Sequence, residues 1–365
     1  MSPEPESASN RARTLVIVTG SGRSGTSTVT GSLKMLGSYI PQPEIPANEA
    51  NPRGYFEPTW TVEYQKRVLA DAGVRTLDAR PEAYELMQPT CAKASFRDEL
   101  STWFATQLQG RQIVVKDPRS FWLRNLWVPV ASDLGVETRF LTMLRHPAEV
   151  VGSRDMHYLK NADDDRRRAR ETGNLGGWVN VALTNERVGR ESDRAFVHYT
   201  DMISDWRAAL LQAGEQLGLE YDADLRTRDH HEIDDFIDVS LHRSQLTWDD
   251  LDVPRQLVEI AETVWSNLDT LSKDPKNEAA MASNDDMREA YGQLHTYSVA
   301  LSQDHTNYSV DVARAQTRRK VTRELREQQG GGTQPAVAGA PSFARRVVRK
   351  VRSFSRQARP SGAGD

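Results

Sequence analysis

Nine residues near the start of the chain, Gly20 to Thr28, read Gly-Ser-Gly-Arg-Ser-Gly-Thr-Ser-Thr. Their types are those of an anion site. The glycines let the backbone come close to a ligand, and the hydroxyls of Ser24, Thr26, Ser27 and Thr28 add donors. Arg23 supplies a charged fork that matches a phosphate or sulfate oxygen pair. A plain glycine turn is the alternative, but four hydroxyls and an arginine are more than a turn needs.

The flanking residues decide how such a loop is held. Leu15–Val18 is a continuous apolar run, which predicts a parallel strand buried on both faces. Thr26–Leu36 predicts a helix, whose first N–H groups point at the loop. Gly20 and Gly25 have the spacing of a Walker A loop, but Thr26 stands where that motif carries lysine. The cation lies inside the loop instead, at Arg23. That suits a nucleotide whose transferred group is not a magnesium-bound γ-phosphate.

A second set of residues falls at later strand ends. Gln112–Val115 predicts a strand that runs into Lys116-Asp117-Pro118-Arg119, and Thr138–Leu144 predicts one that ends at Arg145. The carboxyl ends of parallel strands are where open α/β sheets bind ligands. Asp117 reads either as a Walker B aspartate, to which the adjacent Lys116 is a poor neighbour, or as an ion-pair partner of Arg119. Pro147 suits the first turn of the next helix. Ser153, eight residues after Arg145, can converge with it on one anion.

Between the first helix and the second strand lies Ile40–Thr59, whose five prolines predict an extended segment able to fold over the loop. It carries Glu44, Glu49 and Glu57. Glu57 sits between aromatics and a proline, the partly buried setting that suits a general base. An ion pair with Arg53 is the competing reading.

The rest of the chain bounds these assignments. Strands alternate with helices throughout: helices at Thr61–Gly73, Arg97–Leu108, Gly177–Arg190, Asp201–Leu217 and Val253–Leu268, and a strand at Arg194–Tyr199. That pattern predicts an α/β fold, a P-loop-type parallel sheet flanked by helices, with a C-terminal helical extension and a basic tail. Arg154–Thr172 reads as a solvated helix or loop, and Asp235–Ser244 as a mixed loop holding His242 and Arg243. Residues 1–12 read as disordered, 13–271 as the catalytic domain and 272–329 as a polar extension with two helical runs, Asp285–Leu301 and Val310–Gln329. Residues 330–341 read as a flexible linker, and 342–365 as a tail rich in arginine with no acid until its last residue. The tail's apolar spacing suggests an amphipathic anchor to a membrane surface, or simply a disordered segment. A net charge of −4 gives no general attraction to nucleic acid. The single cysteine, Cys91, excludes an internal disulfide or a thiolate zinc site. With no apolar signal core and no run near the roughly 18 apolar residues of a membrane span, the expected location is cytoplasmic, with peripheral contact at the inner membrane face through the tail.

These motifs together resemble the sulfotransferases that use 3′-phosphoadenosine 5′-phosphosulfate (PAPS). Arg23 to Thr26 looks like their 5′-phosphosulfate loop, and Arg145 with Ser153 like their 3′-phosphate pair. The resemblance covers about residues 13–270. NPRGYFE, VVKDPR and FIDVSLHRS also look like bacterial members thought to modify saccharides. It implies PAPS as co-substrate and a donor site of Gly22, Arg23, Ser24, Gly25, Thr26, Ser27, Arg145 and Ser153. It also implies a metal-free in-line transfer to a hydroxyl of a saccharide, glycolipid or other small acceptor. The cytosolic branch has a catalytic histidine two residues after a strand-end lysine; here Lys116 fits the lysine but Pro118 replaces the histidine. Glu57, with Glu49 second, then becomes the expected base, beside Arg23 and Lys116. The glycine-rich segment that closes the cytosolic site is missing, and Arg243 is the possible substitute for its phosphate contact. Trp60, Trp122, Trp127 and Trp178 either stack on sugar rings or belong to the core.

Overall fold

The computed structural model describes residues 12–49, 51–158, 163–238 and 246–330. Residues 1–11, His242 and Arg243, the linker after residue 330 and the basic tail lie outside the described residues. At the centre is strand β1 (Arg13–Thr19), whose last five residues are buried. It pairs in parallel with β2 (Gln112–Lys116) on one side and β3 (Val136–Leu144) on the other. β4 (Arg194–His198) adds to β3, giving a four-stranded parallel sheet in the order β2-β1-β3-β4. The register sets the site. Val18 pairs with Lys116, and Thr19 with Thr142. The loop leaving β1 therefore emerges between the end of β2, at Lys116, and the end of β3, at Arg145.

Alternate residues of β1 feed two cores, as a doubly covered strand requires. Leu15 and Ile17 pack with α2 (Thr59–Ala72), α3 (Ala83–Cys91), α4 (Ala94–Thr106) and α5 (Arg124–Asp133). Val16 and Val18 pack with α1 (Thr26–Met35), α8 (Tyr199–Ser204) and α9 (Trp206–Leu217). A third core joins Leu144 and Phe196 to α6 (Pro147–Tyr158), α7 (Asp164–Gly189), α11 (Arg255–Lys273) and the first turns of α12 (Glu278–Gly330). A short α10 (Glu232–Phe236) packs beside α1. Trp122 and Trp127 are fully buried and Trp178 nearly so, while Trp60 is stacked between Tyr64 and Trp103. These four rings are core rather than a sugar platform.

Several helix boundaries differ from the sequence reading. The expected helix Asp201–Leu217 is broken at Asp205, which leaves helical geometry and caps α9 by accepting from the N–H of Ala208 at 3.2 Å. α3 and α5 each contain an internal proline, Pro89 and Pro129, which argues against a helix in sequence although the burial of Met87 and Trp127 holds both in place. The two polar runs near the C-terminus are one helix, α12. The chain divides into one compact unit ending at Val299 and another beginning at Ala300. Among the described residues, no helix is long and apolar enough to cross a membrane.

Candidate phosphate-loop site

The loop from Gly20 to Gly25 is held by its own polar groups. Ser24 is buried and its Oγ donates to the carbonyl of Ser21 at 2.7 Å. Gly20 adopts φ +129°, and a Cβ there would lie 2.7 Å from the carbonyl oxygen of Met143. Gly25 opens α1 at φ +90° with the ring of Tyr199 against it; a Cβ would sit 2.3 Å from Tyr199 Cδ2. Both positions require glycine. Arg23 takes φ +79° without being glycine, a conformation that costs energy for a residue with a Cβ. At the start of α1 the Thr28 N–H turns back to the carbonyl of Gly25 at 3.0 Å, while the N–H groups of Thr26 and Ser27 precede the first intrahelical bond and lie at the mouth of the loop. Ser21 Oγ is buried with no hydrogen-bond partner among the described residues, a further donor at the same place.

The β3 side of the loop is a cluster of cations. Arg145 donates through Nη1 to the carbonyl of Arg23 at 3.0 Å and through Nε to Glu149 at 2.7 Å. Its guanidinium lies 4.8 Å from the centre of the Tyr199 ring. Arg23 Nε donates to Ser153 Oγ at 3.1 Å. The loop arginine and the serine of the second anion pair are thus in direct contact, so the two expected anion sites share a wall. Arg154, next to Ser153, brings Nη1 within 3.6 Å of where a Cβ on Gly22 would stand. The sequence reading passed over Arg154 and Tyr199. Tyr199 stands directly after β4, and its strand-end position was the available signal.

On the β2 side the cluster is a buried network around Lys116, which is 3 % exposed. Its Nζ donates to Glu57 Oε1 at 2.6 Å, to the carbonyl of Tyr55 at 3.0 Å and to Ser27 Oγ at 3.2 Å. Arg53, the other partner considered for Glu57, turns instead to Asp238 and the carbonyl of Asp235. Glu44 pairs with Lys34, and Glu49 is exposed. The proline-rich segment does fold onto the loop. Asn51 Nδ2 donates to Gly54 O at 2.6 Å and to Ser27 Oγ at 3.4 Å, bending residues 51–57 against the start of α1. Asp117 is fully buried and gripped by Arg119, which donates through Nη1 to both carboxylate oxygens at 2.8 and 3.0 Å and through its backbone N–H at 2.8 Å. The ion-pair reading of Asp117 therefore holds, and the Walker B reading does not. Burial pushes the Asp117 carboxyl up to about 6 against the opposing pull of Arg119, and the charge of Glu57 adds to the rise.

Gly22, Arg23, Ser24, Gly25, Thr26 and Ser27 form the loop and first turn. Arg145 and Ser153 close one side, and Lys116 and Glu57 the other. Thr26 is buried behind the loop, where its carbonyl accepts from Thr30 Oγ1 at 2.7 Å. The arrangement can hold an oxyanion on N–H groups and guanidinium, with a carboxylate on one flank.

No family model matches the chain, and a search of curated proteins returned no match. Solved structures similar to it include the sulfotransferase domain of the olefin synthase of Synechococcus PCC 7002 (TM-score 0.39, 18 % identity, 70 % of this chain and 96 % of that one). A second is the sulfotransferase domain from the curacin biosynthetic pathway (0.39, 14 %, 71 % and 99 %). A third is sulfotransferase STF1 from Mycobacterium tuberculosis H37Rv (0.38, 14 %, 70 % and 77 %).

Proposed function

We propose that this chain is a sulfotransferase that moves the sulfuryl group of PAPS to a hydroxyl of a saccharide or other small acceptor. The observation that carries the reading is the contact chain Ser27–Lys116–Glu57, which joins the first turn of the phosphate helix to a carboxylate in two hydrogen bonds, at 3.2 and 2.6 Å. A group held on the loop N–H groups then lies within one side chain of a base. Glu57 takes the proton of the acceptor hydroxyl as its oxygen bonds to sulfur. The bond from sulfur to the bridging oxygen breaks, and its electron pair leaves on the 5′-phosphate of 3′,5′-ADP. Arg23, the loop N–H groups and Lys116 offset the charge that builds on the sulfuryl and bridging oxygens. The 3′-phosphate is assigned to Arg145 and Ser153.

The test has two arms. Thermal unfolding is followed with 3′,5′-ADP and with ATP plus magnesium; the reading expects stabilisation by the first, about 2.7 kcal/mol at a hundredfold excess over Kd. Labelled PAPS is then incubated with saccharide and lipid extracts, and Glu57→Gln is expected to abolish transfer while nucleotide binding persists. Preference for ATP plus magnesium would instead favour a phosphoryl-transfer enzyme.

A further inference from the structure

We infer that residues 300–320 of α12 pair antiparallel with the same residues of a second copy of this chain. The inference rests on that stretch of helix alone and does not depend on the reaction.

A helix takes most of its stability from packing against the rest of a fold. Residues 301–320 are exposed at every position. Leu301 and Tyr308 are 75 % and 69 % exposed, far more than side chains of that size are in a packed helix. They belong to one line. Leu301, His305, Tyr308, Val312, Ala315 and Arg319 recur at alternating intervals of four and three residues. That is the spacing of a seam between two helices, and the six positions fall within about 80° of the helix circumference.

Charge decides what covers the seam. Residues 300–312 carry Asp304 and Asp311 and no lysine or arginine. Residues 313–320 carry Arg314, Arg318, Arg319 and Lys320 and no acid. Two copies side by side in parallel would set the cationic ends against each other. Reversing one copy lays the cationic half of each over the acidic half of the other, twice by symmetry.

A dyad at Val310 fits the residue types. Tyr308 then faces Val312 of the second copy, and the His305 ring faces the small Ala315. Leu301 faces Arg319, whose methylene stem can cover it while the guanidinium reaches outward. Asp304 lies one turn after Leu301, so it comes beside Arg318 and Arg319 of the second copy. Asp311, close to the dyad, already has a partner in its own chain, Arg314 at 3.5 Å. It therefore does not set two bare carboxylates against each other.

Sedimentation of the full chain over about 1–100 µM tests the pairing. A monomer–dimer equilibrium is expected, and a chain ended after Val299 should remain monomeric. Leu301→Gln with Tyr308→Gln should raise the dimer Kd about tenfold or more while leaving the thermal transition in place. Orientation is read by charge reversal. Asp304→Arg in one protein, and Arg318→Asp with Arg319→Asp in another, should each weaken self-association. Mixing the two should restore the dimer, because both cross-contacts are then of opposite sign. A full chain that stays monomeric overturns the inference, as does a dimer that survives the cut after Val299. A Kd unmoved by the two glutamines, or a mixture no tighter than its components, overturns it as well. A monomer that instead sediments with vesicles of phosphatidylcholine and phosphatidylglycerol overturns it in favour of an anionic lipid surface.

Discussion

Arg145 donates a hydrogen bond to the backbone carbonyl of Arg23 across 3.0 Å, so the arginine at the end of β3 holds the shape of the loop after β1 as well as its charge. A truncation at residue 145 therefore removes a loop strut and, on the proposed donor site, a ligand contact as well. Arg145→Ala is expected to weaken 3′,5′-ADP binding about 30-fold or more, the usual scale for losing one partner of a buried charge contact. Arg145→Lys keeps the charge but not the fork, and should fall between the two. Titration calorimetry of the three proteins checks the order; indistinguishable affinities would remove Arg145 from the donor site.

Arg23 separates conformation from chemistry. Its φ of +79° is one that glycine adopts at little cost. Arg23→Gly should therefore match or exceed the wild type in thermal stability, by roughly 1 kcal/mol at most. It should nonetheless lose sulfuryl transfer, because the guanidinium is gone. Arg23→Ala loses transfer too and gains no stability. A glycine variant with wild-type turnover would place the charge of the loop elsewhere.

Gly25 has no room for a side chain. A Cβ would meet Tyr199 Cδ2 at 2.3 Å, at a φ of +90° that alanine resists. Gly25→Ala is expected to lower stability by about 1–3 kcal/mol and to push the loop off the Tyr199 ring. Adding Tyr199→Leu should recover part of the loss by making space, though not the part due to φ. Urea unfolding of the single and double variants distinguishes the two contributions.

Which features could be read in advance follows from their range along the chain. β1, its loop and α1 are contiguous, and strand-end placement makes Lys116 and Arg145 candidates from their positions alone. The contact between Arg23 and Ser153 spans 130 residues and depends on strand order and register, neither of which a single sequence states. The Lys116–Glu57 pair needed the same register together with the fold-back of residues 51–57 through Asn51. Arg53 was the nearer candidate in sequence, but its side chain turns to Asp238 instead. Pro89 and Pro129 hid two helices because tertiary burial overrode local preference there.

Asp117 gives the protein a pH dependence of unusual sign. Its folded carboxyl is pushed up to about 6, while the unfolded carboxyl titrates near 4. Between those values the folded chain holds a proton that the unfolded chain has lost. Stability contributed by this group is therefore full below about pH 4, falls as pH rises to about 6, and is level above; the drop is roughly 2–3 kcal/mol. Asp78, Asp205, Asp234 and Asp285 are held below their usual range by arginine partners and, for the first three, backbone N–H groups, and they act at lower pH with the opposite sign. Asp117→Asn keeps an acceptor for the Arg119 N–H and should flatten the difference across pH 4–6. Urea midpoints of both proteins at steps through that range test it, and parallel curves would refute the assignment.

The C-terminal helix should divide into a part the fold needs and a part it does not. Ala280 and Tyr291 are buried in the third core, with Met287, Ala290 and Leu294 packed against it. Asp285 takes two hydrogen bonds from Arg190 at 2.8 and 3.0 Å, and the Tyr291 hydroxyl donates to the carbonyl of Ala79 at 2.5 Å. Burying side chains of this kind contributes about 1.5–3 kcal/mol each for the large ones. Their sum approaches the whole stability of an ordinary domain, about 5–15 kcal/mol. Residues 300–320, by contrast, are exposed along the helix. A chain ended after Val299 is therefore expected to keep its thermal transition and its 3′,5′-ADP affinity. A chain ended after Asn277 should lose most of its stability and aggregate on expression. Equal transitions for the two truncations would mean that the contacts of Tyr291 and Asp285 contribute nothing to the fold.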